Sequence, residues 1–361
     1  MCRRKQTSFS RNSTEKPIRN WEELSIKHKK ILLIAILLLL ICFVLSISVG
    51  RYSLPLEVIL ELVRCKLTNR EVPSELFSPS VVFWSVRLPR AIMALLVGAV
   101  LAIAGTVFQG VFRNPLVSPD ILGVSAGAGF GAGLAIILIG RSALAVQSMA
   151  FIFGLAAVAA AYQIGRRSRS DSVTVLVLAG VIVTAIFTAG LSFLKYVADP
   201  YEQLPAIVFW TMGGFSNIVW KDVYWTLPVF IVGTAVLYFL RWRLDLLSLG
   251  DEEALTLGVD VKRMRLLYIS VSTLLVASSI STSGTIGWVG LVMPHMARLI
   301  VGPNHQILIT FASILGAIFM LLIDTLARTI SSGEIPISIM TSLIGAPFLA
   351  YLLLRQEERD L

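Results

Sequence analysis

The chain has 361 residues, of which 56% are hydrophobic and only 15% are charged. A typical soluble domain has about 45–50% apolar and about 25% charged residues, so this composition excludes a soluble enzyme, a disordered chain and a nucleic-acid-binding module. The net charge of +9 would suggest a polyanionic partner for a soluble protein. In a membrane protein the positions of the basic residues matter more than their sum.

Long stretches without any charged residue follow one another along the chain. They are 31–50, 91–112, 121–140, 142–165, 172–194, 223–240, 266–294, 306–323 and 335–354. A helix needs ~20 apolar residues to cross a bilayer, and eight of these stretches have the length of one span. The stretch 266–294 is too long and is interrupted near Gly284, so we predict one full helix followed by a short one at about 289–300. The sequence therefore predicts an all-α polytopic membrane protein with ten transmembrane helices.

The distribution of basic residues predicts the orientation of these helices. If the basic segment 1–30 is cytoplasmic, 21 Lys and Arg residues fall on the cytoplasmic side and 10 on the outer side. Cytoplasmic loops retain an excess of positive charge, so both termini are predicted to be cytoplasmic. The stretch 31–50 lacks a cleavage site and is too long for a signal peptide, so it is the first span of a membrane domain 31–355. A short tail, 356–361, follows it.

Two outer segments and one glycine-rich segment stand out by their proline or glycine content. Proline and glycine in 51–83 and 197–220 indicate structured connections. The glycine-rich segment resembles a dinucleotide fingerprint, but no strand precedes it. Its four-residue spacings are instead typical of closely packed membrane helices, which we predict for Gly127, Gly129, Gly131 and Gly133. The sequence has no phosphate-binding P-loop, so any ATP chemistry must come from a partner.

Ionisable residues are confined to the ends of the predicted spans, which argues against an ion-driven transporter. Asp324 and Arg328 lie one helical turn apart near the outer end of their span, where they can pair. His295 has no second histidine nearby, and a packing or capping contact is favoured over metal ligation. No metal site is predicted, because the three cysteines have no metal-binding spacing: Cys2, Cys42 and Cys65.

The predicted cytoplasmic loop 244–265 contains an amphipathic helix. Asp251 is placed to cap its N-terminus, the acidic residues beside it suit the helix dipole, and Gly258 can end it. The apolar patch consists of Ala254, Leu255, Leu257 and Val259. A helix lying on lipid is one interpretation. A protein partner is preferred, because lipid headgroups would favour basic rather than acidic residues on the polar face.

Four segments together resemble the permease subunits of bacterial ABC importers for iron-siderophores, haem and cobalamin. They are RLPR followed by LLVGAVLAIAGTVFQGVFRNPLVSPDILGVSAGAG, LGDEEALTLGV, GTIGWVGLVMPHMARLIVG and EIPISIMTSLIGAPFLAYLL. The resemblance covers about residues 84–355. It implies a multi-pass protein of the bacterial inner membrane that forms a homodimer, or a pair with a closely related permease. The implied partners are two ATPase subunits, which use ATP and Mg, and an extracytoplasmic binding protein; this chain itself would bind no cofactor and would not be an enzyme.

The resemblance also implies roles for individual residues. The helix that couples to the ATPase would comprise Leu249, Gly250, Asp251, Glu252, Glu253, Ala254, Leu255, Leu257 and Gly258. Arginines at the outer face would bind carboxylates of the binding protein, since their fixed fork suits bidentate pairing: Arg87, Arg90 and Arg328. The cytoplasmic gate would comprise Asn114, Pro115, Leu116, Ser172, Val173 and Thr174.

The substrate cannot be determined from these residues, because the implied pathway contains no strong ligands. A ferric siderophore is the first expectation, followed by haem and cobalamin. Two other function classes are an ion-coupled secondary transporter and a membrane-embedded enzyme. The lack of mid-span charges counts against the first, and the lack of paired carboxylates or a nucleophile and base near the interface counts against the second.

Overall fold

The computed structural model describes residues 21–167 and 173–360, and within these ranges the regular structure is helical, without strands. The all-α prediction is confirmed. In chain order the α-helices are α1 (Trp21–Ser48), α2 (Leu56–Leu67), α3 (Phe77–Val81), α4 (Leu88–Val111), α5 (Val124–Leu138), α6 (Ala143–Arg167), α7 (Val173–Val197), α8 (Gln203–Met212), α9 (Trp220–Leu249), α10 (Asp251–Thr256), α11 (Val261–Ser283), α12 (Val289–Val301), α13 (His305–Thr329) and α14 (Ile337–Asp360).

In the part of the chain that the structure describes, seven helical runs are long and apolar enough to cross a membrane. They are His28–Ser48, Ser74–Val111, α6, α7, α9, α11 and α13. Shorter apolar helices are α5, α8, α12 and the part of α14 up to Leu352. The predicted interruption of the stretch 266–294 is confirmed, because α11 ends at Ser283, Gly284 adopts φ +69°, and α12 begins at Val289.

The centre of the bundle is α4, which packs against α9, α11, α12 and α13. Glycines allow these helices to approach closely. A Cβ atom at Gly98 would clash with the backbone oxygen of Gly316 in α13, and one at Gly105 would clash with that of Gly290 in α12. Small residues at helix contacts are typical of membrane proteins, where association depends on close packing rather than on exclusion of water.

The outer surface of the bundle is apolar. Large side chains such as Leu33 in α1, Ile186 in α7 and Phe239 in α9 are 69%, 62% and 75% exposed. Continuous apolar surface of this extent is not tolerated in water, but it is the expected surface against lipid. The chain is therefore a multi-pass membrane protein.

The helices define two ends of the bundle, named here after one element or residue of each. The α10 end contains the C-termini of α4 and α9 and the N-termini of α11 and α13; there the His305 backbone N–H donates to Asp245 Oδ1 at 2.8 Å. The Arg90 end contains the C-terminus of α1 and the N-termini of α4, α6 and α9. There Gln147 Nε2 donates to Asp222 Oδ1 at 2.9 Å.

Candidate functional sites at the two ends of the bundle

Arg90 forms a buried charge cluster in the first turn of α4. Its Nε and Nη2 donate to Asp324 Oδ1 in α13 at 2.9 and 2.8 Å, and its Nη1 donates to Glu334 Oε1 at 2.8 Å. Arg90 is 6% exposed and Asp324 is fully buried, whereas Glu334 lies in the exposed connection between α13 and α14. A guanidinium fork that binds a carboxylate in this way fixes both partners, so the cluster ties α4 to α13 and to the following connection.

Arg87 donates hydrogen bonds to backbone carbonyl groups at the C-terminal end of α1. Its Nη1 donates to the carbonyl oxygens of Ile47 and Val49 at 2.7 and 2.8 Å, and its Nη2 donates to that of Tyr52 at 2.5 Å. The last carbonyl groups of a helix have no partner within the helix, and a cation is favoured beside them. Arg87 therefore holds the end of α1 against the start of α4.

Arg328 connects α13 to the same end of α1. Its Nη2 donates to the carbonyl oxygen of Ser46 and, at 3.2 Å, to the Ser46 hydroxyl. Its Nε lies 3.7 Å from Asp324 Oδ2, which confirms the predicted pair between these neighbours on α13. The main partner of Asp324 is nevertheless Arg90, 234 residues earlier in the chain, and no local sequence pattern could indicate that pair.

These contacts correct one expectation about the three arginines. From the sequence we expected Arg87, Arg90 and Arg328 to bind carboxylates of a binding protein at the outer face, but they are only 5–6% exposed and are bound within the chain. The reason is that the unpaired carbonyl groups of α1 and the buried Asp324 carboxylate both require donors at this depth. Their contact with a binding protein stays a prediction.

At the opposite end of the bundle, α10 and the residues on either side of it form a small exposed apolar patch. Leu249, Leu255 and Leu257 are 60%, 59% and 57% exposed, while Ala254 is completely buried against the neighbouring helices. Glu252 and Glu253 beside them are exposed. Exposed leucines flanked by acidic residues suit a protein contact better than an anionic lipid surface.

The ends of α10 differ in one respect from the sequence expectation. The residue before the helix is Gly250, and no side chain caps the N-terminus; Asp251 is the first helical residue and binds elsewhere. Gly258 ends the helix as expected, at φ +82°, with the Val259 N–H donating to the Ala254 carbonyl oxygen at 3.0 Å. This is the glycine-terminated helix end in which a left-handed residue follows the last turn.

Asp251 is held by two arginines from other elements. Arg265 Nη2 in α11 donates to its Oδ1 and Oδ2 at 2.9 and 3.0 Å. Arg113 Nη2, directly after α4, lies 3.3 Å from its Oδ1. Asp251 thus links α10 both to α11 and to the connection that leads from α4 to α5.

The residues assigned to a gate lie in two segments. Asn114, Pro115 and Leu116 are exposed in the connection after α4, where Asn114 Oδ1 accepts from the Leu116 N–H at 2.9 Å and closes a tight turn. Val173 and Thr174 begin α7, whereas Ser172 lies outside the described residues. Their role as a gate stays a prediction.

The connection between α4 and α5 re-enters the bundle, which the sequence did not indicate. Gly123 at its end packs against Thr184, the twelfth of the 25 residues of α7, and so lies near the middle of that helix. Asp120 Oδ1 accepts from the Ser125 N–H at 2.8 Å, at the N-terminus of α5. Asp120 directly precedes the predicted span 121–140, so the expectation that ionisable groups are confined to the ends of the spans is not contradicted. Its carboxylate nevertheless lies inside the bundle, where it stabilises the N-terminus of α5.

The glycines of α5 face two different neighbours. A Cβ atom at Gly127 or Gly131 would clash with a backbone oxygen of α6, that of Phe153 or Met149. Gly129 and Gly133 face the other way, and a Cβ atom there would lie 3.3 Å from Leu191 side-chain atoms of α7. Only one of the two four-residue pairs therefore lies at a backbone contact.

A cavity of about 760 Å³ opens at the Arg90 end between α6, α9 and the end of α11, and Arg90, Asp222 and Glu334 contribute to its wall.

Within the described ranges, no three His, Cys, Asp or Glu side chains are close enough to one another to hold a metal ion. His295 is buried in α12, and its Nδ1 has no hydrogen-bond partner among the described residues.

Most of the chain matches one known protein family. The model of the FecCD transport family matches residues 38–355. The chain belongs to the FecCD transport family. The molybdate import system permease protein MolB of Haemophilus influenzae is 43% identical over 325 residues, which cover 90% of this chain and 95% of MolB. The cobalamin import system permease protein BtuC of Halobacterium salinarum is 41% identical, covering 78% of this chain and 75% of BtuC.

A solved structure with a similar fold supports the same family assignment. It shows an inward-facing conformation of a metal-chelate type ABC transporter, with a TM-score of 0.81 and 42% sequence identity over 91% of this chain and 99% of that one. This FecCD chain is accordingly the permease subunit of an ABC importer, and the family resemblance seen in the sequence is confirmed.

The segments that carry the family resemblance occupy both ends of this FecCD permease. The RLPR segment contains Arg87 and Arg90 at the start of α4, and the segment that includes Asp251 forms α10. The segment around Pro294 forms α12, and the last one begins at Glu334 and continues through α14. The family pattern therefore coincides with the two charge clusters and with the helices that connect them.

Proposed function

We propose that this FecCD permease pairs with a second copy, or with a closely related permease, and passes a metal-containing substrate from an extracytoplasmic binding protein into the cytoplasm. Two ATPase subunits dock at the α10 ends and supply the energy. The observation that carries this proposal is the surface at α10: this six-residue helix and the residues on either side of it expose Leu249, Leu255 and Leu257 beside acidic residues. Such a patch outside the lipid needs a protein partner.

The proposed topology has ten spans. They are α1, the run ending in α4, α5, α6, α7, α9, α11, α12, α13 and α14, while α8, with ten residues and a length of about 15 Å, does not cross. The short α5 is sufficient as a span because the re-entrant connection before it covers the remaining depth. With the α10 end and both termini in the cytoplasm of a bacterium, the observed excess of basic residues lies inside.

The chemistry of the chain suits a passage rather than a catalyst. We propose that it binds no nucleotide or resident metal, and that ATP and Mg are used by the partner ATPase. An ion-coupled transporter is not favoured, because the deep carboxylate, Asp120, already caps the N-terminus of α5. Asn114 to Leu116 and the start of α7 would form the gate at the cytoplasmic side.

The proposed substrate is a metal chelate or a metal oxyanion. A ferric siderophore was the first expectation from the sequence, and haem and cobalamin followed. The similarity to MolB adds molybdate as a second candidate, since MolB is named as a molybdate permease. The binding protein selects the solute, so the test is a calorimetric screen of that protein against a ferric siderophore, haem, cobalamin and molybdate. Sub-micromolar binding of one of the four identifies the class; binding of none contradicts the proposal.

The role of α10 is tested by Leu255→Asp. A carboxylate buried in an apolar contact without a partner costs several kcal/mol, so we expect the variant to insert normally but to lose co-purification with the ATPase. The neighbouring Thr256→Asp is the matched control, because Thr256 is exposed and already polar. Co-purification of Leu255→Asp at the wild-type yield would contradict docking at α10.

A further inference from the structure

The helix α4 ends in an unusual way. The Asn114 N–H donates to the Gln109 carbonyl oxygen at 3.1 Å, and the Arg113 N–H donates to that of Gly110 at 3.2 Å. This pair of hydrogen bonds is the Schellman motif, in which the residue with left-handed φ and ψ is usually glycine. Here Arg113 occupies that position, with φ +50°. The end of α10 has the same pattern of bonds but uses Gly258, at φ +82°.

A residue with a Cβ atom in the left-handed region is strained, and such strain persists where the side chain is needed. Among the described residues, the Arg113 side chain has one partner of opposite charge: its Nη2 lies 3.3 Å from Asp251 Oδ1. Both side chains are 39% exposed, and an ion pair with this exposure contributes little to folding. Stability therefore does not account for an arginine in a position that suits glycine.

The pair connects two moving parts of the proposed transporter. Asp251 is the first residue of α10, so a displacement of α10 displaces this carboxylate. Arg265 also links the carboxylate to α11. Arg113 lies near the start of the connection that contains the proposed gate and directly precedes Asn114. A link at this point joins the surface that receives the ATPase to the segment that closes the passage.

The connection beyond Arg113 is held closely enough to transmit a displacement. The side chain of Pro119 packs against Gly290 of α12, the Ile121 backbone oxygen lies against Gly180 of α7, and Asp120 is bonded to the first turn of α5. The connection has contacts with three spanning helices, so movement at its beginning changes the positions of α5 and α7 rather than being absorbed by a loose loop.

We propose that Arg113 is a positioning residue that transmits the displacement of α10 to the connection between α4 and α5, with Asp251 as its acceptor. The inference rests on the proposed docking of the ATPase at α10, and it adds the path by which ATP hydrolysis reaches the passage. An exposed ion pair can change an equilibrium by up to about fivefold, so Arg113 tunes the coupling rather than determining it alone.

The test variant is Arg113→Gly, which removes the guanidinium group and leaves a residue suited to the left-handed conformation. The complete transporter, reconstituted in liposomes with its ATPase and binding protein, is assayed for substrate transported per ATP hydrolysed. We expect unchanged assembly, an unchanged or slightly raised melting temperature, and a coupling ratio reduced about two- to fivefold. Arg113→Lys should restore most of the ratio, because it keeps the positive charge.

The control is Arg263→Gln, which removes a cation at the same end of the bundle whose ion-pair partner in the described part of the chain is its neighbour Asp260. A wild-type coupling ratio in Arg113→Gly would overturn the inference, and so would an equal loss in the control. Loss of assembly in Arg113→Gly would overturn it as well, since the arginine would then hold α10 in place instead of transmitting its movement. Failure of the proposed function would be seen in a different experiment. In that case the Leu255→Asp variant would still assemble with the ATPase at the wild-type yield.

Discussion

The buried charges at the Arg90 end are paired with one another inside the fold. Asp324 is completely buried and receives both donors of the Arg90 fork, while Arg328 contributes a longer contact of 3.7 Å. Removing one member of a buried pair leaves an uncompensated charge in a low-dielectric site. The cluster is therefore a structural element of the permease, whatever partner it meets.

Arg90→Ala is expected to destabilise the detergent-solubilised permease by about 3–5 kcal/mol, because Asp324 would lose its main partner. Glu334→Gln should change stability by less than about 1 kcal/mol, since the Glu334 side chain is 37% exposed and water can replace the lost contact. Thermal melting of both variants measures the difference. Equal melting temperatures would show that the buried pair contributes no more than the exposed one.

The predicted docking role of the arginines requires a test that leaves the fold intact. Glu334 occupies Nη1 of Arg90, the donor that a carboxylate of the binding protein would need. Neutralising this competitor by Glu334→Gln should therefore tighten binding of the substrate-binding protein by up to about fivefold and make it more sensitive to salt. Surface binding measurements with the reconstituted permease show this directly; weaker binding would assign the contact to Glu334 itself.

At the scale of elements, the small residues of α5 determine how closely its neighbours approach. Gly131 faces the α6 backbone with no room for a Cβ atom, whereas Gly129, two residues earlier, faces flexible Leu191 atoms at 3.3 Å. The two glycines are alike in the sequence. Their positions on the helix decide which one is indispensable.

Gly131→Ala is expected to cost about 1–3 kcal/mol of stability, because α5 and α6 must separate to accommodate the methyl group. Gly129→Ala should be neutral or slightly stabilising, by about 0.5–1 kcal/mol, since alanine restricts the unfolded chain and the Leu191 side chain can move. Melting curves of the two variants in the same detergent give the comparison. A larger effect at Gly129 would contradict the assignment of the α5 faces.

At the scale of the whole molecule, the proposed topology predicts opposite accessibility for the two ends. In a background with Cys2, Cys42 and Cys65 replaced by serine, Thr256→Cys in α10 should react with an impermeant thiol reagent only after the cells are opened. Ser216→Cys, in the exposed connection after α8, should react in intact spheroplasts. Reaction of both positions from outside would contradict the ten-span arrangement.

The sequence by itself determined the fold class, the break between α11 and α12, the helix at α10 and the pair between Asp324 and Arg328. Each of these follows from charge, apolar length or residue spacing over fewer than about 30 residues, which is the range over which helical periodicity acts. The depth of Asp120, the burial of Arg87 and Arg90, and the joining of Arg113 to Asp251 were decided by the tertiary structure. They depend on which helix ends meet, and therefore on packing between segments that are distant in the chain, such as Arg90 and Asp324, 234 residues apart.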